Sequence, residues 1–165
     1  MNFEWIDLKD SDYPDVKEIY DYYVVNTTVT FSTQKISLAE LKETIPAGHP
    51  KYKSFIIKSN GIVCGFCYLS QYKKRQAYDR TAEISVYLKP EFTGKGAGKQ
   101  ILEKMETVAR ANGISVMVGI VTAENTQSVR LFEKCGFEKC AHYKKVGEKF
   151  NRILDVVAYQ KILDE

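Results

Sequence analysis

Three glycines at alternate positions, Gly94, Gly96 and Gly98, enclose Lys95 and stand next to Lys99, with an amphipathic run directly after them. Glycine lets a backbone adopt positive φ and come close to a ligand. The unpaired N–H groups at a helix start, together with the helix dipole, favour a negative charge. A phosphate is the ligand this pattern suits. The two commonest phosphate motifs nevertheless fail on spacing. G-x-x-x-x-G-K-[ST], ended at Gly98-Lys99, would need glycine at Thr93 and Ser or Thr at Gln100. G-x-G-x-x-G would need glycine at Lys99 or Ile101. The stretch is either an anion cradle of another kind or a tight turn that holds nothing.

A second candidate lies just upstream. In "TAEISVYL" (81–88), Ala82, Ile84, Val86 and Leu88 alternate with Glu83, Ser85 and Tyr87, which sets Glu83 on the face away from the apolar residues. A carboxylate there can act as a base if burial raises its pKa. An exposed strand glutamate would read the same. "YKKRQ" (72–76) is the densest basic cluster, either an anion site or a solvated loop. Cys64-x-x-Cys67 invites zinc or redox chemistry. The pair sits in "GIVCGFCYLS", however, which reads as a strand, and residues i and i+3 of a strand point to opposite faces. Reduced, structural cysteines and no metal are expected.

The elements that must carry these residues are legible in the periodicities. "FEWIDLK" (3–9) alternates as a strand. Ser11 or Asp12 and Pro14 open a helix whose face is Val16, Ile19, Tyr20 and Tyr23, and "SLAELKETI" (37–45) is a weaker one. Asn60-Gly61 joins strands 53–59 and 62–70 as a hairpin. Strand 81–88 leads into the glycines, and Ile101, Met105, Val108 and Ala109 mark the next helix face, stopped at Asn112-Gly113. The apolar run 114–121 reads as a central strand. A helix from Asn125 or Thr126 to Gly136 follows, and 152–163 is the final strand. The expected order is βααβββαβαβ, a mixed α/β domain with a central sheet.

The chain has 165 residues, 44% of them hydrophobic, which suits one core, and residues 1–165 are expected to form a single domain. A net charge of +3 is too mild to argue for nucleic acid. There is no apolar run near the ~20 residues that span a bilayer, and no secretory h-region opens the chain. A cytoplasmic protein is expected.

Joined to "ENTQSVRLFEKCGF" (124–137), the glycine stretch resembles the GNAT superfamily of acetyl-CoA-dependent N-acetyltransferases. That family's loop, [RQ]-x-x-G-x-[GA], falls on Thr93-Gly94-Lys95-Gly96-Ala97-Gly98, with Thr93 in place of Arg or Gln. Its later motif, N-x-x-S-x-x-L-[YF]-x-x-x-G-F, is matched by Asn125, Ser128, Leu131, Phe132, Gly136 and Phe137. Segments 19–31, 72–88 and 146–160 look like the phosphinothricin and methionine sulfoximine acetyltransferase branch, most specifically at Ala77-Tyr78-Asp79-Arg80-Thr81-Ala82-Glu83.

The resemblance implies a GNAT fold, with a mostly antiparallel central sheet flanked by helices, and acetyl-CoA as co-substrate. It implies that residues 93–98 (Thr93, Gly94, Lys95, Gly96, Ala97, Gly98), with Lys99, cradle the pyrophosphate. Asn125 would meet the pantetheine arm, with Ser128 and Phe132 also on the coenzyme side. Backbone N–H groups near Val86–Leu88 would polarise the thioester. Acetyl transfer to an amine requires loss of an ammonium proton, polarisation of the carbonyl and departure of a thiolate. Glu83 is the implied base. Phe132, where many relatives carry Tyr, has no proton to give, so solvent would protonate the thiolate, with Tyr87, Tyr143 or His142 as substitutes. Lys73, Arg75 and Tyr78 match the substrate-side loop, and Phe31 would be an apolar wall. In the closing motif Gly147, Lys149, Phe150 and Asp155 match, whereas Asn151 replaces Gly and Ile153 replaces Trp. The expectation is acetylation of a small amino-acid-like amine by a homodimer. The alternatives are a peptide or protein N-terminal acetyltransferase and a non-catalytic acyl-CoA sensor.

Overall fold

The computed structural model describes residues 1–164; Glu165, the last residue of the expected domain, lies outside the described residues. The strands are β1 (Glu4–Asp7), β2 (Ser54–Ser59), β3 (Ile62–Gln71), β4 (Thr81–Leu88), β5 (Val116–Thr122), β6 (Glu138–Lys149) and β7 (Arg152–Ile162). They form one sheet in the order β1-β2-β3-β4-β5-β7-β6. Only the β4–β5 pair is parallel among the described strands. The helices are α1 (Tyr13–Asn26), α2 (Leu38–Thr44), α3 (Ala97–Ala111) and α4 (Thr126–Lys134).

Local chemistry accounts for the joints. Asn60 and Gly61 have φ of 52° and 76°, the pair of positive values that a two-residue type I′ hairpin requires. Ser37 caps α2 by accepting the Glu40 N–H at 3.2 Å. Along α3, Ala97, Ile101, Leu102, Met105 and Ala109 form a buried stripe. α3 and α4 cover one face of the sheet, over Cys67, Leu69, Ala82, Ile84 and Met117. α1 and α2 cover the other, through Tyr13, Val16, Ile19, Leu41 and Ile45 on Ile56, Phe66 and Tyr68. Each fully buried Ile, Leu or Met contributes about 1.5–3 kcal/mol.

Two expectations are corrected. The expected order omitted β6, a strand that pairs with β7 at the edge of the sheet. Its sequence, EKCAHYKKVGEK, is almost wholly exposed, and its register breaks between Tyr143 and Gly147, so it carries neither an apolar face nor a steady alternation. The cysteine argument also changes. Register passes from Ile57↔Gly65 to Lys58↔Val63, a bulge that leaves Cys64 as the extra residue. The bulge reverses the parity, so Cys64 and Cys67 are both buried in the same core, beneath α3. Both thiols are free, and burial pushes both pKa values up.

Candidate active site

β4 and β5 run together for only three residue pairs, Thr81↔Val116, Ala82↔Met117 and Glu83↔Val118. Beyond Glu83 each strand holds its other neighbour: β4 pairs with β3 as far as Leu88, and β5 with β7 as far as Thr122. The sheet therefore splits, and the edges facing the split have no strand partner there. A narrow cavity of about 80 Å³ occupies the split, walled by Ile84–Tyr87 of β4, Ile120 and Val121 of β5, Leu102 of α3, and Asn125, Ser128, Leu131 and Phe132. A wider cavity of about 400 Å³ adjoins it, sharing Val29 and Asn125 and lined also by Thr28, Glu124, Phe150 and Arg152. Unpaired strand edges supply amide donors and acceptors, which suits a thin, amide-bearing chain laid along the split.

The glycines stand where β4 hands over to α3. Gly94 and Gly96 have φ of 73° and 79°, and Gly96 is the N-cap of α3 without a side-chain cap. The first-turn N–H groups thus remain available to an anion, with Lys95 and Lys99 exposed beside them. Gly98 has a different reason to be glycine: a Cβ there would lie 2.6 Å from Leu131 Cδ2, so it permits close packing of α3 on α4. Thr93 Oγ1 donates to the Pro90 carbonyl at 2.7 Å and ties the turn that precedes the loop. Ala97 is buried.

On the far wall, Asn125 N-caps α4, its Oδ1 accepting the Ser128 N–H at 3.2 Å. The amide NH₂ of Asn125 has no protein partner among the described residues, and Asn125 lines both cavities. The ring of Phe132 is buried against Gly119, where a Cβ would sit 2.3 Å from the ring tip, and stacks on Tyr159 at 6.1 Å. Val86, Asn125, Ser128 and Phe132 are thus brought together in the split. Leu88 is not: its side chain is buried, and its carbonyl accepts the Tyr23 hydroxyl.

Glu83 sits at the base of the split, on the α1–α2 face of β4, opposite the buried Ala82 and Ile84. Burial raises its carboxyl above the ordinary value, and the Lys73 ammonium pulls it partly back. Lys73, Arg75 and Tyr78 are exposed on the β3–β4 connection, at the same end of β4 as Glu83. Tyr78 packs edge-on against Tyr72, with centroids 5.7 Å apart. Phe31 lines neither cavity; its ring lies against Gly147 of β6. Thr30, beside it, is bonded by Tyr20, whose ring packs edge-on against Tyr87, four residues up β4 and so ~13 Å from Glu83 at 3.3 Å per residue. The basic pair and Phe31 therefore bracket the stretch of β4 that contains Val86.

Sequence reasoning missed several neighbours of this site. Arg152 makes a bidentate pair with Glu124 at 3.0 and 2.7 Å, and Thr28 Oγ1 donates to the same carboxylate at 2.5 Å. Arg152 holds the Glu124 carboxyl below its usual pKa. Tyr20 binds the hydroxyls of Thr30 (2.8 Å) and Ser32 (2.7 Å). No local pattern signals partners so far apart in the chain. Of the three substitutes for a missing acid, only Tyr87 lines the split. His142 bonds Asp155 at 2.8 Å on the outer hairpin, and Tyr143 is exposed beside it. Asn151 has φ of 57°, a left-handed conformation that Asn tolerates, so its exchange for Gly preserves the turn. Ile153 is 57% exposed and lines neither cavity.

The profile of the acetyltransferase (GNAT) family matches residues 6–137. The chain is 32% identical to an L-amino acid N-acyltransferase of Escherichia coli (strain K12), over 91% of this chain and 88% of the relative. It is equally similar, at 32% and the same coverage, to the L-methionine sulfoximine/L-methionine sulfone acetyltransferase of Salmonella typhimurium. The crystal structure of a GNAT superfamily phosphinothricin acetyltransferase from Sinorhizobium meliloti, in complex with acetyl-CoA, superposes with a TM-score of 0.92 at 30% identity, covering 99% of this chain and 89% of that one.

Proposed function

The chain belongs to the acetyltransferase (GNAT) family, and from that premise we propose that it acetylates the primary amine of a small amino-acid-like substrate of the methionine sulfoximine, methionine sulfone or phosphinothricin type. It is an N-acetyltransferase, and acetyl-CoA is its co-substrate. The observation that carries the reading is the split between β4 and β5, with a glycine-capped helix start at one end and a half-buried carboxylate at the other. The site residues fit the coenzyme: an anion-binding turn for pyrophosphate and unpaired strand edges for pantetheine amides.

In this reading Gly94, Gly96 and the first turn of α3 hold the pyrophosphate, with Lys95 and Lys99 adding charge. Asn125 and Ser128 bind the pantetheine arm, and Phe132 walls it. An N–H of β4 near Val86 holds the thioester oxygen, where negative charge develops during attack. Glu83 removes a proton from the substrate ammonium, directly or through water, and burial, by raising its pKa, makes it a stronger base than an exposed carboxylate. The freed amine attacks the carbonyl, the C–S bond breaks, and solvent protonates the departing thiolate. Lys73 and Arg75 receive the substrate's acidic groups, while Tyr78 and Phe31 flank it.

We further propose one catalytic domain over residues 1–165, working as a homodimer in the cytoplasm. The outer hairpin supports association: Tyr143, Val146, Phe150 and Ile153 are each more than half exposed there. Thiol release from acetyl-CoA, measured against methionine sulfone, methionine sulfoximine, phosphinothricin, free amino acids and peptide N-termini, tests the reading. Turnover confined to peptides would replace it with N-terminal acetylation, and no turnover with any amine would leave an acyl-CoA sensor.

A further inference from the structure

Lys149 is 4% exposed, yet no carboxylate among the described residues lies within ion-pair reach of its ammonium. Its one hydrogen bond is to the Thr30 carbonyl, at 2.8 Å, and the Phe150 ring centroid lies 5.2 Å away. An ammonium buried with so little compensation is costly. A methionine would fill the same space without that cost, so a reason beyond packing is required.

The reason lies two residues away. Gly147 and Lys149 sit at i and i+2 of β6 and therefore face the same way. A Cβ on Gly147 would fall 2.3 Å from Phe31 Cε2. Its φ is not in the left-handed region, so glycine is required there for the space that the Phe31 ring occupies. Lys149 holds the carbonyl immediately before Phe31, and Tyr20, on α1, bonds the Thr30 hydroxyl. The peptide plane leading into Phe31 and the seat of its ring are thus both set by one short stretch of β6.

We propose that Gly147 and Lys149 are positioning residues that clamp Phe31 as the apolar wall for the amine substrate. The inference rests on the reading of Phe31 given under Proposed function. The clamp acts on the amine substrate alone, because neither residue lines the split where the coenzyme lies.

The test uses methionine sulfone as the amine and the full chain. Lys149→Met and Gly147→Ala should each raise the KM for methionine sulfone about tenfold, with kcat and the acetyl-CoA Kd within about twofold of wild type. Lys149→Arg, which keeps a cationic donor, should recover part of the KM. The Tm of Lys149→Met should be unchanged or higher, since a purely structural lysine would lower it. On a Phe31→Ala background neither substitution should raise KM further. If Phe31→Ala raises KM while Lys149→Met leaves it unchanged, or if the two effects add in full, the clamp is wrong and the wall stands. A wild-type KM in Phe31→Ala overturns the wall itself, and the clamp with it.

Discussion

Glu83 and Val118 form the last pair that joins β4 to β5, and the split opens directly beyond them. The position of this carboxylate follows from that relationship. Strand pairing fixes it on one side, the cavity begins on the other, and burial there raises its pKa. If Glu83 is the base, Glu83→Gln should keep its acetyl-CoA affinity and lose roughly 10²–10⁴ in kcat, the usual range for general-base catalysis. The loss should shrink at high pH, where free amine is already present. Near-normal turnover in Glu83→Gln would move the base to another residue.

The same raised pKa has a stability consequence. A carboxyl whose folded pKa exceeds its unfolded value, near ~4.3 for glutamate, favours the fold in its protonated form. Its contribution is complete below the unfolded pKa and is lost as pH rises through the folded value. Glutamine cannot ionise and escapes that loss. Glu83→Gln should therefore melt higher than wild type at pH 7 and no higher at pH 4, as read by thermal denaturation in matched buffers. A lower Tm at pH 7 would mean that the carboxylate is well solvated or paired.

Gly96 and Gly98 should separate by mechanism. Gly96 combines φ of 79° with open space around its missing Cβ, so Gly96→Val puts a β-branched residue where only the backbone angle objects. The loop must shift, and the acetyl-CoA Kd should rise about tenfold or more, equivalent to ~1.4 kcal/mol, while the protein remains folded. Gly98→Ala instead drives a methyl into Leu131 and should cost about 1–3 kcal/mol of stability. Replacing Leu131 with Val should relieve part of that cost. Equal coenzyme affinity in a folded Gly96→Val protein would remove the pyrophosphate assignment.

Much of this was legible because the signals were local. Asn60-Gly61 gave the hairpin, and the stripe through Ile101, Met105 and Ala109 gave α3. Glu83 could be placed on its face by simple alternation. What failed depended on register. A single extra residue at Cys64 reversed the parity of β3, and only Gly65 hints at it locally: a Cβ there would meet the Tyr87 carbonyl at 2.3 Å. The strand β6 has no buried face to give it a period. The Phe31–Gly147, Lys149–Thr30 and Arg152–Glu124 contacts join distant parts of the chain through topology, and no spacing rule reaches them.

Lys73 and Arg75 should have different signatures. Arg75 forms no ion pair among the described residues, and the Lys73 charge is felt at Glu83. A charge-assisted hydrogen bond to substrate contributes about 1.5–3 kcal/mol. Arg75→Ala should therefore raise KM roughly ten- to a hundredfold for an anionic amino acid, and much less for an uncharged amine ester. Lys73→Ala should also move the acid limb of kcat/KM to higher pH, because the ammonium that lowers the Glu83 pKa is gone. An acid limb unmoved by Lys73→Ala would assign that limb to a group other than Glu83.

The fate of the thiolate supplies the last prediction. Phe132 cannot protonate it, and its ring tip abuts Gly119, so the wall of the split is apolar there. His142 and Tyr143 stand on the outer hairpin, away from the split. Tyr87 lines it, but burial raises the phenol pKa well above its ordinary value of 10. Such a phenol stays protonated through the assay range and is a weak acid towards a thiolate whose conjugate pKa is near ~8.5. Solvent is the better donor. The wild-type kcat/KM should accordingly rise with pH and level off, with no descending limb below about pH 9.5. Tyr87→Phe, His142→Ala and Tyr143→Phe should each keep kcat within about threefold of wild type. A descending limb that disappears in Tyr87→Phe, with a fall in kcat of about a hundredfold, would identify Tyr87 as the acid and remove solvent from that step.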